Sequence, residues 1–113
     1  SCLMLAVQAE GEDIITIEGI GGSGVRAGEL GIIQDAFCET HGLQCGYCTP
    51  GMILAAEALL SVNTEPTEHE VREAISGNIC RCTGYVQIVD AILLAAKRLG
   101  QRNDAAPSDA NLV

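Results

Sequence analysis

Two short cysteine knuckles constrain this chain more than any other feature: Cys45-Gly46-Tyr47-Cys48 and Cys80-Arg81-Cys82, each followed at once by a threonine, Thr49 and Thr83. Four thiols in two knuckles are what a tetrathiolate metal site requires. The fold must therefore carry two distant loops to one centre. A chain of 113 residues supports one small domain plus appendages. A core of that size is marginal, so a metal staple adds materially to its stability.

The six cysteines also raise a disulfide alternative. Disulfide frameworks scatter their cysteines, whereas four of these are clustered. A bond inside either knuckle would close a very tight ring with little loop entropy to remove, so metal is the preferred reading. The formal net charge of −9 argues against nucleic acid and anionic membrane surfaces as partners. An aromatic content of 3% leaves few platforms for stacking bases. No apolar run reaches the ~18 residues of a membrane-spanning helix, and there is no signal-peptide pattern. The chain starts at Ser1 without Met, which reads as the later part of a longer polypeptide.

Residues 1–20 read as a β-hairpin. Cys2–Val7 is an apolar run, Ala9–Asp13 a turn, and Ile14–Ile17 a second β-branched run. A lone hairpin is marginal in water, so it reads as the remnant of a larger sheet. Residues 21–28 form a glycine-rich linker. No Gly-Lys-Ser/Thr follows it, which argues against a phosphate loop. Residues 29–100 read as a four-helix domain and 101–113 as a loose polar tail.

The first helix is expected over 29–41, with Ile32, Ile33, Ala36 and Phe37 on one face. The second starts at Thr49 as N-cap with Pro50 next, and buries Met52, Ile53, Ala56, Leu59 and Leu60. The third starts at Thr67, where Thr67-Glu68-His69-Glu70 fits a capping box, and ends near Gly77. The fourth runs from Tyr85 to Leu99 on a stripe of Ile88, Val89, Ile92, Leu93, Ala96 and Leu99. Cys-Thr-Pro-Gly-Met-Ile before the second helix echoes Cys-Thr-Gly-Tyr-Val-Gln-Ile before the fourth. The echo suggests two helical hairpins related by an approximate two-fold, with both knuckles at one end.

Zinc and iron–sulfur centres both accept four thiolates. Zinc knuckles usually repeat Cys-x-x-Cys at a spacing of about 15–20 residues. Here the second knuckle is Cys-x-Cys and the stretch 49–79 is much longer. Each knuckle of that pattern suits two sulfurs on one iron of a binuclear centre. Both knuckles precede predicted helix starts, whose free N–H groups favour an anionic centre. A zinc tetrathiolate is also anionic, so a structural zinc-binding assembly module stays open on these grounds.

The segments Leu43-Gln44-Cys45-Gly46-Tyr47-Cys48-Thr49-Pro50-Gly51-Met52-Ile53 and Asn78-Ile79-Cys80-Arg81-Cys82-Thr83-Gly84-Tyr85 resemble the second [2Fe–2S] domain of the molybdenum hydroxylases. That family includes xanthine dehydrogenase, aldehyde oxidoreductase and the small subunit of aerobic carbon monoxide dehydrogenase. The resemblance covers residues 1–99. It implies an all-α four-helix bundle with approximate two-fold symmetry and one [2Fe–2S] cluster on Cys45, Cys48, Cys80 and Cys82. It implies that Gln44 and Cys82 approach the molybdopterin of a large subunit. It also implies relay of single electrons from that site through this cluster toward a second cluster and FAD or another acceptor, FAD lying on a medium subunit in many members. The chain would then be the electron-transfer subunit of an oxidoreductase, with no substrate site or catalytic residue of its own. Cys2 matches the last ligand of a truncated plant-type [2Fe–2S] domain, orphaned here. A cytoplasmic location is expected, or periplasmic if an upstream signal exists, with no nucleic acid and no membrane insertion.

Other residues carry plainer expectations. Cys38 is read as a buried structural thiol. His41 is read as a solvated or capping residue at a helix end, and His69 as solvent-exposed. Arg81 is balanced between tuning the centre, pairing with a partner carboxylate and ordinary surface exposure. Tyr47 and Tyr85 either shield the centre or cap the core.

Overall fold

The computed structural model describes the backbone of residues 2–20 and 30–109, and the side chains of 2–20 and 30–102. Four helices follow one another: α1 (Ile32–Glu39), α2 (Thr49–Val62), α3 (Glu68–Ala74) and α4 (Val86–Asp109). Two 3₁₀ turns, Ala6–Ala9 and Ile17–Gly19, precede them. No strand occurs among the described residues.

Helix α1 opens with the Gly31 N–H donating to Gln34 Oε1 at 2.7 Å. It closes in a Schellman turn. His41 takes the left-handed conformation at φ 55°, the Gly42 N–H donates to the Phe37 carbonyl at 2.8 Å, and the His41 N–H to the Cys38 carbonyl at 3.4 Å. A Cβ on Gly42 would stand 3.1 Å from the Phe37 ring and 3.4 Å from Ala91 on α4. The chain leaving α1 is thereby pinned to α4 just before the first knuckle.

Helix α2 begins at Thr49, with Cys48 itself in the cap position and Pro50 in the first turn. The cap is one residue earlier than the expected Thr49. Helix α3 starts as expected. Glu70 donates its N–H to Thr67 Oγ1 at 3.3 Å, and the Thr67 N–H donates to Glu70 Oε2 at 2.6 Å. It ends at Ala74, short of Gly77, and successive turns carry the chain to Asn78. Helix α4 is longer than the expected 85–99. It continues through 101–109, part of the segment read as a loose tail. Residues 110–113 of that tail lie outside the described residues.

The core joins all four helices through Phe37, Met52, Val71, Ile88, Val89 and Ile92. Helices α1 and α4 share the broadest contact, and Arg98 on α4 pairs with Glu39 at the end of α1. Ala91 and Ala95, absent from the expected stripe, are fully buried. Their small side chains let α1 approach α4 closely.

The hairpin expected over 2–20 is not formed. Leu3, Leu5, Val7, Ile14 and Ile15 are exposed, and Ile20 alone of this segment is buried. Two β-prone runs without a third strand cannot bury a face, and 3₁₀ turns take their place. The expected linker 21–28 lies outside the described residues.

Candidate metal centre

The first knuckle is delivered by the α1 exit. Leu43 packs against the core, and Gln44 and Cys45 then emerge to solvent. Gly46 lies at φ 83°, a conformation open to glycine and strained for other residues. This bend directs the Tyr47 N–H to Cys45 Sγ at 3.4 Å, and Cys48 then caps α2. The Tyr47 ring stands 93% exposed, so it does not cap the core.

The second knuckle is closed by its own side chains. The Cys80 N–H donates to the Tyr85 phenolic oxygen at 3.0 Å. Thr83 donates to Cys80 Sγ twice, from its N–H at 3.4 Å and from its hydroxyl at 3.0 Å. The Tyr85 N–H in turn donates to Thr83 Oγ1 at 3.2 Å. Tyr85 sits at φ 67°, rare for an aromatic residue. Cys80 is buried, Cys48 half-buried, and Cys45 and Cys82 are exposed.

The thiols associate across the knuckles. Cys45 lies near Cys82 on the exposed side, and Cys48 lies near Cys80 on the enclosed side. The structure brings thiols of both knuckles together, with Cys48 and Cys80 the more enclosed and Cys45 and Cys82 exposed. Among the described residues no three His, Cys, Asp or Glu side chains gather as ligands of a single ion.

Electrostatics follow this pairing. Burial, then the Cys80 thiolate, push the Cys48 thiol up to about 11. The Thr83 hydroxyl and N–H hold Cys80 down at about 7 although it is the more enclosed of the two. Donors aimed at sulfur outweigh desolvation there. The Tyr47 N–H and the Cys82 thiol lower Cys45.

The donor set fits a [2Fe–2S] cluster: two thiol pairs, peptide N–H groups on two sulfurs, and two helix N-termini adjoining the knuckles. Thr49 follows Cys48, and its buried Oγ1 lacks a hydrogen-bond partner among the described residues. Such a hydroxyl suits a sulfur acceptor.

The [2Fe–2S] binding domain family matches residues 16–93, a span that holds both knuckles. The chain belongs to this family. As a [2Fe–2S] binding domain it is 49% identical over 98 residues to the nicotinate dehydrogenase small FeS subunit of Eubacterium barkeri, covering 87% of this chain and 60% of that one. It is 48% identical over 103 residues to the nicotine 6-hydroxylase small subunit of Paenarthrobacter nicotinovorans, covering 91% and 59%. Among solved structures it resembles quinoline 2-oxidoreductase from Pseudomonas putida 86, with TM-score 0.78, 48% identity and coverage of 89% of this chain and 61% of the other. The chain thus spans about 60% of the length of these relatives.

Some other expectations change on the domain. Cys38 is exposed, not buried. The core face of α1 holds Ile33, Ala36 and Phe37, and one further residue turns ~100° away from it. His41 caps α1 as expected, and exposed His69 pairs with Glu73 at 3.5 Å. Gln44 and Arg81 are exposed. Cys2 is exposed and lies on the segment before the bundle. Tyr85 packs against the core, one of its two expected roles. It acts as a clasp on Cys80, and a left-handed aromatic has no sequence signal.

Proposed function

We propose that Cys45, Cys48, Cys80 and Cys82 hold one [2Fe–2S] cluster, and that the chain is part of the electron-transfer iron–sulfur subunit of a molybdenum hydroxylase. The observation that carries this reading is the pair of knuckles with donors aimed at sulfur, the Tyr47 N–H at Cys45 and the Thr83 N–H and hydroxyl at Cys80. When bound, the cluster supplies outer-sphere one-electron transfer. The chain's own residues bind and enclose it. The N-termini of α2 and α4 supply positive dipole ends, Tyr47 and Thr83 direct N–H groups to sulfur, and the bundle keeps Cys48 and Cys80 from water.

Exposed Gln44 and Cys82 face outward and are assigned to contact with molybdopterin on a large subunit. A medium subunit carrying FAD and a second [2Fe–2S] cluster, with Cys2 among its ligands, complete the proposed relay. In that setting residues 1–20 belong to a ferredoxin-like domain, 21–28 to a linker and 29–100 to a bundle with approximate two-fold symmetry, and residues 101–113 follow it. The relatives' names, among them nicotinate dehydrogenase and nicotine 6-hydroxylase, support an oxidoreductase assembly. A cytoplasmic site of action is part of the same proposal. No helix among the described residues is long and apolar enough to cross a membrane.

The test is a visible and EPR spectrum of anaerobically reconstituted protein with iron and sulfide analysis. Red-brown colour, a rhombic signal on reduction and equal iron and sulfide are expected. Colourless protein carrying one zinc would instead establish a structural zinc module.

A further inference from the structure

The strongest donor to any of the four sulfurs is a hydroxyl. Thr83 Oγ1 lies 3.0 Å from Cys80 Sγ, whereas the two peptide N–H contacts to sulfur are 3.4 Å. A threonine hydroxyl has one proton to donate. Here its oxygen already accepts the Tyr85 N–H at 3.2 Å, so its proton is free for the sulfur. The arrangement is clamped from the other side, because the Tyr85 phenolic oxygen accepts the Cys80 N–H. Cys80 is 8% exposed, so water competes poorly for its sulfur.

The first knuckle has no equivalent. The Thr49 hydroxyl is buried, and among the described residues it reaches no acceptor. Among the described residues, then, the second knuckle directs its threonine hydroxyl to a ligand thiol and the first does not, despite the repeated Cys-Thr sequence.

We propose, resting on the cluster-binding reading, that Thr83 is a positioning residue for electron transfer: its hydroxyl, acting through the Cys80 sulfur, raises the reduction potential of the centre. Adding one electron makes the ligating sulfurs more negative. A donor fixed on sulfur then binds the reduced form more strongly than the oxidised form. No bond is made or broken. The electron comes from dithionite, the reductant of the potentiometric titration below.

The experiment is a potentiometric titration of the intact, cluster-loaded protein with Thr83, with Thr83→Val and with Thr83→Ser. It follows visible absorption and the EPR signal that Cys48→Ser abolishes, with iron and sulfide content measured alongside. Thr83→Val keeps the shape and removes the donor. Its oxidised-to-reduced ratio at fixed potential should rise about tenfold, a fall of about 59 mV for one electron. Thr83→Ser should titrate with the unsubstituted protein. A Thr83→Val potential equal to that of the unsubstituted protein would overturn the inference. So would a Thr83→Val protein that holds no cluster while Thr83→Ser holds one, since the hydroxyl would then serve assembly. Unsubstituted protein lacking iron and sulfide would overturn the cluster reading itself, and this inference with it.

Discussion

Gly51, in the first turn of α2, lies against the side chain of Asn78, and a Cβ on Gly51 would stand 2.9 Å from Asn78 Nδ2. This contact joins the segment after the first knuckle to the segment before the second. Gly inside a helix costs about 1 kcal/mol relative to Ala, and the close approach of Asn78 explains why a helix would carry it here. Gly51→Ala should therefore give no net gain in stability, because Asn78 must rotate away. In an Asn78→Ala background the same change should stabilise by about 0.5–1 kcal/mol. Thermal melts of the four proteins check this, and equal effects in both backgrounds would refute the contact.

Cys80 and Cys38 differ in burial and company. Cys80 is enclosed, accepts two hydrogen bonds at its sulfur and donates one from its N–H, whereas Cys38 is exposed on α1. Cys80→Ser should abolish iron and sulfide incorporation, and Cys38→Ser should leave both unchanged. Equal loss in the two variants would mean the proposed ligand set is wrong.

Tyr85→Phe removes the acceptor of the Cys80 N–H and leaves that partly buried donor unpaired. Destabilisation of about 1–2 kcal/mol is expected. Chemical denaturation should show a lower midpoint with an unchanged slope. An unchanged midpoint would indicate that the clasp contributes nothing.

The thiol shifts give the cluster-free protein a distinctive pH profile. Cys80 falls from 9.0 to about 7 on folding, so its contribution is present above 9 and is lost as pH falls toward 7. Cys48 rises from 9.0 to about 11, so its contribution is present below 9 and is lost as pH rises toward 11. Stability should climb between pH 7 and 9 and decline between 9 and 11. Denaturation curves across that range provide the check, and Thr83→Val should flatten the climbing limb. A climb of full size in that variant would show that Thr83 is not its cause.

Cluster removal should loosen the bundle. The two knuckles converge from distant parts of the chain, so iron linking them restrains the second knuckle and α4 against α2. The apo form should melt at lower temperature by circular dichroism. Identical melting with and without iron would contradict the staple.

Much of the bundle was legible in the sequence because it depends on local rules. The Thr67 capping box, Pro50 in the first turn of α2, and the stripes through Met52–Leu60 and Ile88–Ala96 are set by neighbours within a few residues. The hairpin expected over 2–20 does not form, because strands need partners that the described residues do not offer. Cys38 was misjudged because cysteine type says little about which side of a helix faces the core.

That two cysteine knuckles precede two helices, and hence that four thiols are available to one centre, is written in the order of residues alone. Residue type and spacing along a chain are enough for that. The folded arrangement adds that Cys48 and Cys80 lie on the enclosed side and that Tyr85 and Thr83 clasp the second loop. Pairing and depth depend on how α1 seats against α4 and how Gly51 meets Asn78. These are contacts between residues far apart in sequence, and no local pattern encodes them.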